Sequence, residues 1–99
     1  VVWSPAALED VEAIAAYIAR DSAQYASAVV QRLRDTARSL REFPLSGRTV
    51  PEFDDASLRE KLVYNYRLIY RIETEVVTIA AVVHGKQSFV TGVGRLRGA

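Results

Sequence analysis

The 99-residue chain has no cysteine and no methionine, a single histidine (His84), one tryptophan and three prolines. Without cysteine there is no disulfide and no thiolate chemistry, and one imidazole cannot build a tetrahedral zinc site. Long apolar runs are missing too. The near-continuous apolar run Val76 to Val83 spans eight residues, whereas a bilayer needs about 20. No basic-then-apolar leader opens the sequence, so the expected location is cytoplasmic. Acid is scarce at one end. Thirteen Lys and Arg against twelve Asp and Glu give a net charge of +1, yet after Glu75 the charged residues are only Lys86, Arg95 and Arg97. A basic end of this kind suits an acidic partner, either nucleic acid or protein.

What is present suffices for one domain over residues 1–99. Apolar residues make up 49% of the chain, enough for a modest core and too many for a disordered segment. Val1-Val2-Trp3 reads as a short strand ending at Ser4-Pro5, where Ser4 is a suitable N-cap and Pro5 fits the first helical position. Leu8, Val11, Ala15 and Ile18, with Ile14 beside them, form a stripe of helical period that predicts a helix over 5–20. Asp21 and Ser22 interrupt it, with Gln24 spaced as a capping box requires after Asp21. A second stripe (Tyr25, Val29, Leu33, Thr36, Leu40, Phe43) predicts a helix over 22–42, with a polar face basic at Arg32, Arg34, Arg38 and Arg41. So short a linker folds the two back into an αα-hairpin.

Residues 44–57, rich in Pro, Gly, Ser and Asp, read as a loop. A loop of that length is often functional, which draws notice to Arg48 and Glu52. From residue 58 the period changes to two, and strands are expected at 59–64, 66–72 and 75–84 in an antiparallel meander. The tail, 85–99, holds four of the five glycines and is expected to be a partly ordered basic segment. A helical hairpin and a sheet with one apolar face bury each other. The expected class is therefore α+β in the order β-α-α-β-β-β, with the N-terminal strand at an edge.

The chemistry available is narrow. There is no glycine-rich phosphate cradle and no nucleophile elbow around a serine. Glu52, Asp54 and Asp55 read as a solvated loop face rather than a cation site, and neither metal nor cofactor is expected. His84, ending the last strand, reads first as structural. Its alternative is a cluster with Arg67, Lys86 and either Arg48 or Arg59 that holds a nucleic-acid phosphate. Arg67 and Arg71 share one face of their strand, where they either pair with acids such as Glu60, Glu73 or Glu75 or bind an acidic ligand. Trp3 and the tyrosines lie at core spacing and read as core or interface.

Taken in order, several segments resemble the RelE/ParE toxin superfamily. They are Trp3-Ser4-Pro5-Ala6-Ala7 with Leu8-Glu9-Asp10-Val11, Ile14 and Tyr17-Ile18-Ala19, then Phe43-Pro44-Leu45-Ser46-Gly47-Arg48 with Val50-Pro51-Glu52, then Leu58-Arg59-Glu60, Tyr66-Arg67-Leu68-Ile69-Tyr70-Arg71, and finally Val82-Val83-His84-Gly85-Lys86. The resemblance covers about residues 3–87 and implies a helical hairpin against an antiparallel sheet. It also implies the toxin half of a type II toxin–antitoxin pair, a growth inhibitor neutralised by a cognate antitoxin. RelE-like members cleave messenger RNA on the ribosome without a metal, and on that branch the catalytic set falls on Arg67, His84 and Lys86. The branch's second arginine, however, falls on Gln87, and its C-terminal tyrosine has no counterpart. ParE-like members poison DNA gyrase and carry no nuclease centre. The chain is closer to that branch, which makes a binding protein the expectation and a metal-free endoribonuclease the alternative. A non-toxic antitoxin-binding module is the third reading. For target binding the resemblance points to Arg59, Lys61, Lys86, Arg95 and Arg97, and for antitoxin binding to Tyr17, Tyr25, Arg67 and Arg71.

Overall fold

The computed structural model describes residues 1–85, so the expected tail beyond Gly85 lies outside the described residues. The chain runs through β1 (Val2–Trp3), α1 (Pro5–Ala19), α2 (Ala23–Ser39), a 3₁₀ turn (Pro44–Ser46), β2 (Arg48–Thr49), β3 (Leu58–Val63), β4 (Tyr66–Glu73) and β5 (Val76–His84). Ser4 caps α1 as its position implies, its hydroxyl oxygen accepting the Ala7 N–H at 3.1 Å. The cap of α2 is Ser22, not Asp21, with the Tyr25 N–H donating at 3.0 Å. That helix ends at Ser39, three residues before the expected 42, because Leu40 and Phe43 N–H groups turn back onto Ala37 and Ser39 carbonyls. Pro44 consequently opens the 3₁₀ turn instead of terminating the helix.

The sheet has the order β1-β5-β4-β3-β2, antiparallel throughout except for β1, which runs parallel to β5. The meander and the edge position of β1 are as the sequence implies. Residues 44–57 are not structureless, however: Arg48 and Thr49 pair with Glu60 and Arg59 and add a fifth strand. Two residues framed by Pro44 and Pro51 carry too little periodicity to be recognised as a strand.

The hairpin covers one face of the sheet, where Val29, Leu33 and Ala37 of α2, its C-cap Leu40, and Ala7 and Ile18 of α1 meet Val63, Leu68, Tyr70, Val77, Ile79 and Val82. The sequence stripes are correct in the middle and wrong at their ends. Leu8, Tyr25 and Phe43 are exposed at 52%, 46% and 61%; on α1 the buried stripe runs through Ala7, Val11, Ile14 and Ile18, which turns Leu8 outward. A register shift after Ile69 leaves Ala80 without a partner on β4, since Ile69 faces Ala81 while Tyr70 faces Ile79. Hence β5 sends Val77 and Ile79 toward the helices and then Val82, an odd-to-even change of parity that only a bulge permits. Residues of α1 and its cap secure that irregularity. Ser4 donates its hydroxyl to the Ala80 carbonyl, and Asp10 accepts the Val82 N–H at 2.9 Å.

The other face is not bare either. Leu58, Ile69, Ala81 and Val83 form a second, smaller apolar cluster with Val50, and Phe53 packs against it. The expected single apolar face is thus two, the second lidded by the 44–57 segment. Tyr70 holds that segment's start: its hydroxyl donates to the Pro44 carbonyl at 2.7 Å and accepts the Gly47 N–H at 2.9 Å. Burial pushes the Tyr70 phenol up from its ordinary value. Gly47 is required here by space, since a Cβ would stand 2.5 Å from the Tyr70 hydroxyl and 2.6 Å from the Glu60 carbonyl oxygen. No helix among the described residues is long and apolar enough to cross a membrane.

Candidate functional site

At the β3–β4 turn end of the sheet, on the loop-covered face, a cleft of about 360 Å³ is lined by Arg48, Pro51, Glu52, Leu62, Tyr64, Asn65, Arg67, His84 and Gly85. Register explains the gathering. Glu60 on β3 sits opposite Arg48 on β2, and Arg67 on β4 lies opposite Leu62, one step diagonally from Glu60 on the same face. Cross-strand neighbours at this spacing reach one another through long side chains.

The four charged groups form one network. The Glu60 side chain is wholly buried and accepts from Arg67 Nε at 2.7 Å and from Arg48 Nε at 2.6 Å. Glu52, on the turn after β2, takes the outer fork of Arg67 in a bidentate pair at 2.9 and 2.8 Å. Hydrogen bonds to Glu52 first, and to Glu60, raise the Arg67 guanidinium against the opposing effect of burial. Arg67 is therefore a permanent cation with both sides of its guanidinium occupied. Such a bidentate, charge-assisted pair is among the strongest polar contacts in proteins.

The remaining candidates divide. His84 shares the cleft with Arg67 and Arg48, and its ring lies edge-on to Tyr66 at 5.6 Å. Burial also pushes the Tyr66 phenol up. Arg59 does not join them, because Nη1 donates to the Gly47 carbonyl at 2.9 Å and Nε to the Ala56 carbonyl at 3.1 Å. Lys61 alternates onto the hairpin side of β3, opposite Leu68. Arg71 reaches Asp55 at 3.4 Å, and Asp55 is further held by Ser57. The Ser57 hydroxyl and N–H, more than Arg71, keep the Asp55 carboxyl below its ordinary value. The Glu52/Asp54/Asp55 cluster is thus dispersed, with Glu52 and Asp55 each serving a different arginine. Lys86, Arg95 and Arg97 lie outside the described residues.

Tyr17 and Tyr25 lie on the hairpin side. Tyr17 is 67% exposed, with the Arg20 guanidinium 6.0 Å from its ring centroid, and Tyr25 meets Tyr64 edge-to-face at 6.0 Å. Tyr17 also lines a groove of about 420 Å³ between α1 and β5. Arg67 and Arg71 are on the opposite side of the sheet, so the four residues linked to antitoxin binding do not form one patch. What sequence reasoning missed is Glu52 as the lid of Arg67. The signal was the pairing of Arg48 and Glu52 in one long loop, but the sequence does not place that loop over β4.

Residues 1–89 match the family described as "ParE toxin of type II toxin-antitoxin system, parDE". No curated protein matches the chain in sequence. Among solved structures, the "Chromosomal ParDE TA system from P. aeruginosa" has a chain similar to this one, with a TM-score of 0.67, 18% identity, and coverage of 83% of this chain and 90% of that one. At that identity the likeness concerns the fold, and the family assignment comes from the match across nearly the whole sequence. The β-α-α-β-β-β-β order, the helical hairpin on the mainly antiparallel sheet and the 1–89 match together place the chain in the ParE toxin family of type II toxin–antitoxin systems.

Proposed function

We propose that this toxin acts by binding and poisoning DNA gyrase, not by cutting RNA, and that a cognate antitoxin holds it silent. The observation that supports this reading is the state of Arg67. A metal-free ribonuclease has to place an unshared cation against the phosphate and move two protons, one off the 2′-hydroxyl and one onto the leaving oxygen. Here the cation is already engaged by Glu52 and Glu60. Among the described side chains lining the cleft, His84 is the one imidazole. One proton carrier for two steps forfeits much of the 10²–10⁴-fold that each positioned acid or base supplies. With Arg59 bonded to backbone carbonyls, the gyrase contacts fall to Lys61 and to the basic residues Lys86, Arg95 and Arg97.

The test gives the purified chain two substrates, gyrase with plasmid DNA and ribosomes carrying a defined message. Accumulation of cleaved DNA–gyrase complexes with the message intact is the expected result. Codon-dependent cleavage that disappears in Arg67→Lys would overturn it in favour of the endoribonuclease.

A further inference from the structure

Four arginines along α2 take no part in the network around Glu60. Arg32, Arg34 and Arg38 lie within the helix, and Arg41 lies in the turn that closes it, where its N–H donates to the Arg38 carbonyl at 3.2 Å. All four are exposed. Arg34, Arg38 and Arg41 follow one another at four and three residues, so they share one flank of the helix, and Arg32 falls on the other. Ser27, two turns back, extends the line and borders the groove between α1 and α2 together with Arg34. Arg38 is 3.6 Å from Asp35, in an exposed pair that Gln31 shares by donating to the same carboxylate. Arg32, Arg34 and Arg41 have no ion pair or side-chain hydrogen bond with any described residue. Arg41 lines a cleft with Glu73 and Glu75 without pairing to either.

This flank lacks what a protein interface needs. Exposed large apolar side chains stand at either end of the helix, at Tyr25 and Phe43, and none lies between them. A protein partner requires an apolar or aromatic anchor at the centre of its contact. Phosphates require none, because arginine and the hydroxyl and amide side chains hold them. Every cation on α2 is an arginine, whose planar fork fits phosphate oxygens better than an ammonium does. Length agrees as well. From Arg34 to Arg41 the helix advances about 10 Å, and one strand of duplex DNA carries a phosphate every ~3.4 Å of its axis. Three arginines thus span about three phosphates of one strand. We infer that the Ser27–Arg34–Arg38–Arg41 flank of α2 is a sequence-independent contact for the backbone of duplex DNA. It rests on the gyrase reading for which duplex is met, the segment that gyrase holds while the toxin is bound; the contact itself requires no gyrase.

The test titrates the full chain into a labelled mixed-sequence duplex, followed by fluorescence anisotropy between about 50 and 200 mM salt. Arg34→Gln and Arg38→Gln should each reduce the slope of log affinity against log salt by about one. Arg41→Gln should reduce it by less, because Glu73 and Glu75 share its cleft. The triple variant should bind at least about tenfold more weakly at ~50 mM salt, equally for two unrelated sequences, and Asp35→Asn should bind more tightly. Arg32→Gln is the control and should leave the slope unchanged. An unchanged slope in a triple variant that keeps the wild-type thermal midpoint, or an equal loss in Arg32→Gln, would overturn the assignment. So would equal binding of poly-glutamate at matched charge, which would make the partner an acidic protein. Adding gyrase to the same duplex separates the two readings. Trapped cleavage complexes together with full DNA affinity in the triple variant keep the gyrase reading and remove the DNA contact. DNA binding that depends on the flank, with no complexes trapped by wild type, does the reverse.

Discussion

Toward the helices the sheet presents Leu68, Tyr70, Ile79 and Val82, packed dry against Val29 and Leu33. Toward the loop it presents a small patch around Ile69 and Ala81, and beside it Arg67 and Glu60, both buried. The first face is closed by area, which is non-directional and forgiving of shape at modest cost. The second is closed by an ion network whose members each depend on the others. Buried charges gain little over well-packed apolar groups while intact, yet losing one partner strands the rest in a poorly solvated site. The two faces of one sheet should therefore respond oppositely to single and paired substitutions.

The largest effect is expected on the charged face. Arg67→Ala leaves Glu60 buried without its main partner and should cost about 3–5 kcal/mol, measured by urea unfolding. Replacing Arg67 and Glu60 together with Met and Leu should recover most of that loss. If the double variant is as unstable as the single one, the network contributes more than mutual compensation. On the dry face Leu33→Ala should cost roughly 2–5 kcal/mol, within the range for a fully buried leucine. A loss below about 0.5 kcal/mol would place α2 away from the core. The smallest effect belongs to Asp55, at the loop's outer edge. Its carboxyl is held below the ordinary value by Ser57 and then Arg71. The stabilisation is therefore present above the unfolded carboxylate value near 3.8 and is lost as pH falls through the lower folded value. Thermal midpoints of wild type and Asp55→Asn should differ slightly at pH 7 and converge toward pH 3. A gap that widens on acidification would reverse the sign of the assignment.

The unequal legibility of the two faces has the same origin. Helical and strand periods report burial, so Val29, Leu33, Leu68 and Ile79 were readable from spacing alone. The stripe ends were not: Tyr25 and Phe43 continue the period yet remain 46% and 61% exposed. In β5 the near-continuous run of apolar residues concealed the bulge, since either parity at Ala80 looks equally apolar. Arg67 was legible as a residue in an acidic environment, and Glu60 was among its expected partners through strand pairing. Glu52 was not assigned to it, because the partnership depends on how a long loop folds over the sheet. Loop geometry leaves no period in a sequence.

The parallel pairing of β1 with β5 has a consequence for how the protein comes into being. Val2 and Trp3 find their partners at Thr78 and Ile79, and the Val82 N–H taken by Asp10 is 72 residues away in the chain. β1 and α1 must therefore wait for β5 to leave the ribosome. Synthesis at about 5–20 residues per second leaves the apolar side of the hairpin uncovered for several seconds, and long-range pairings of this kind are slow to form in any case. A nascent chain halted before residue 76 lacks the strand that joins β1 to β4 and the Val82 N–H that Asp10 holds.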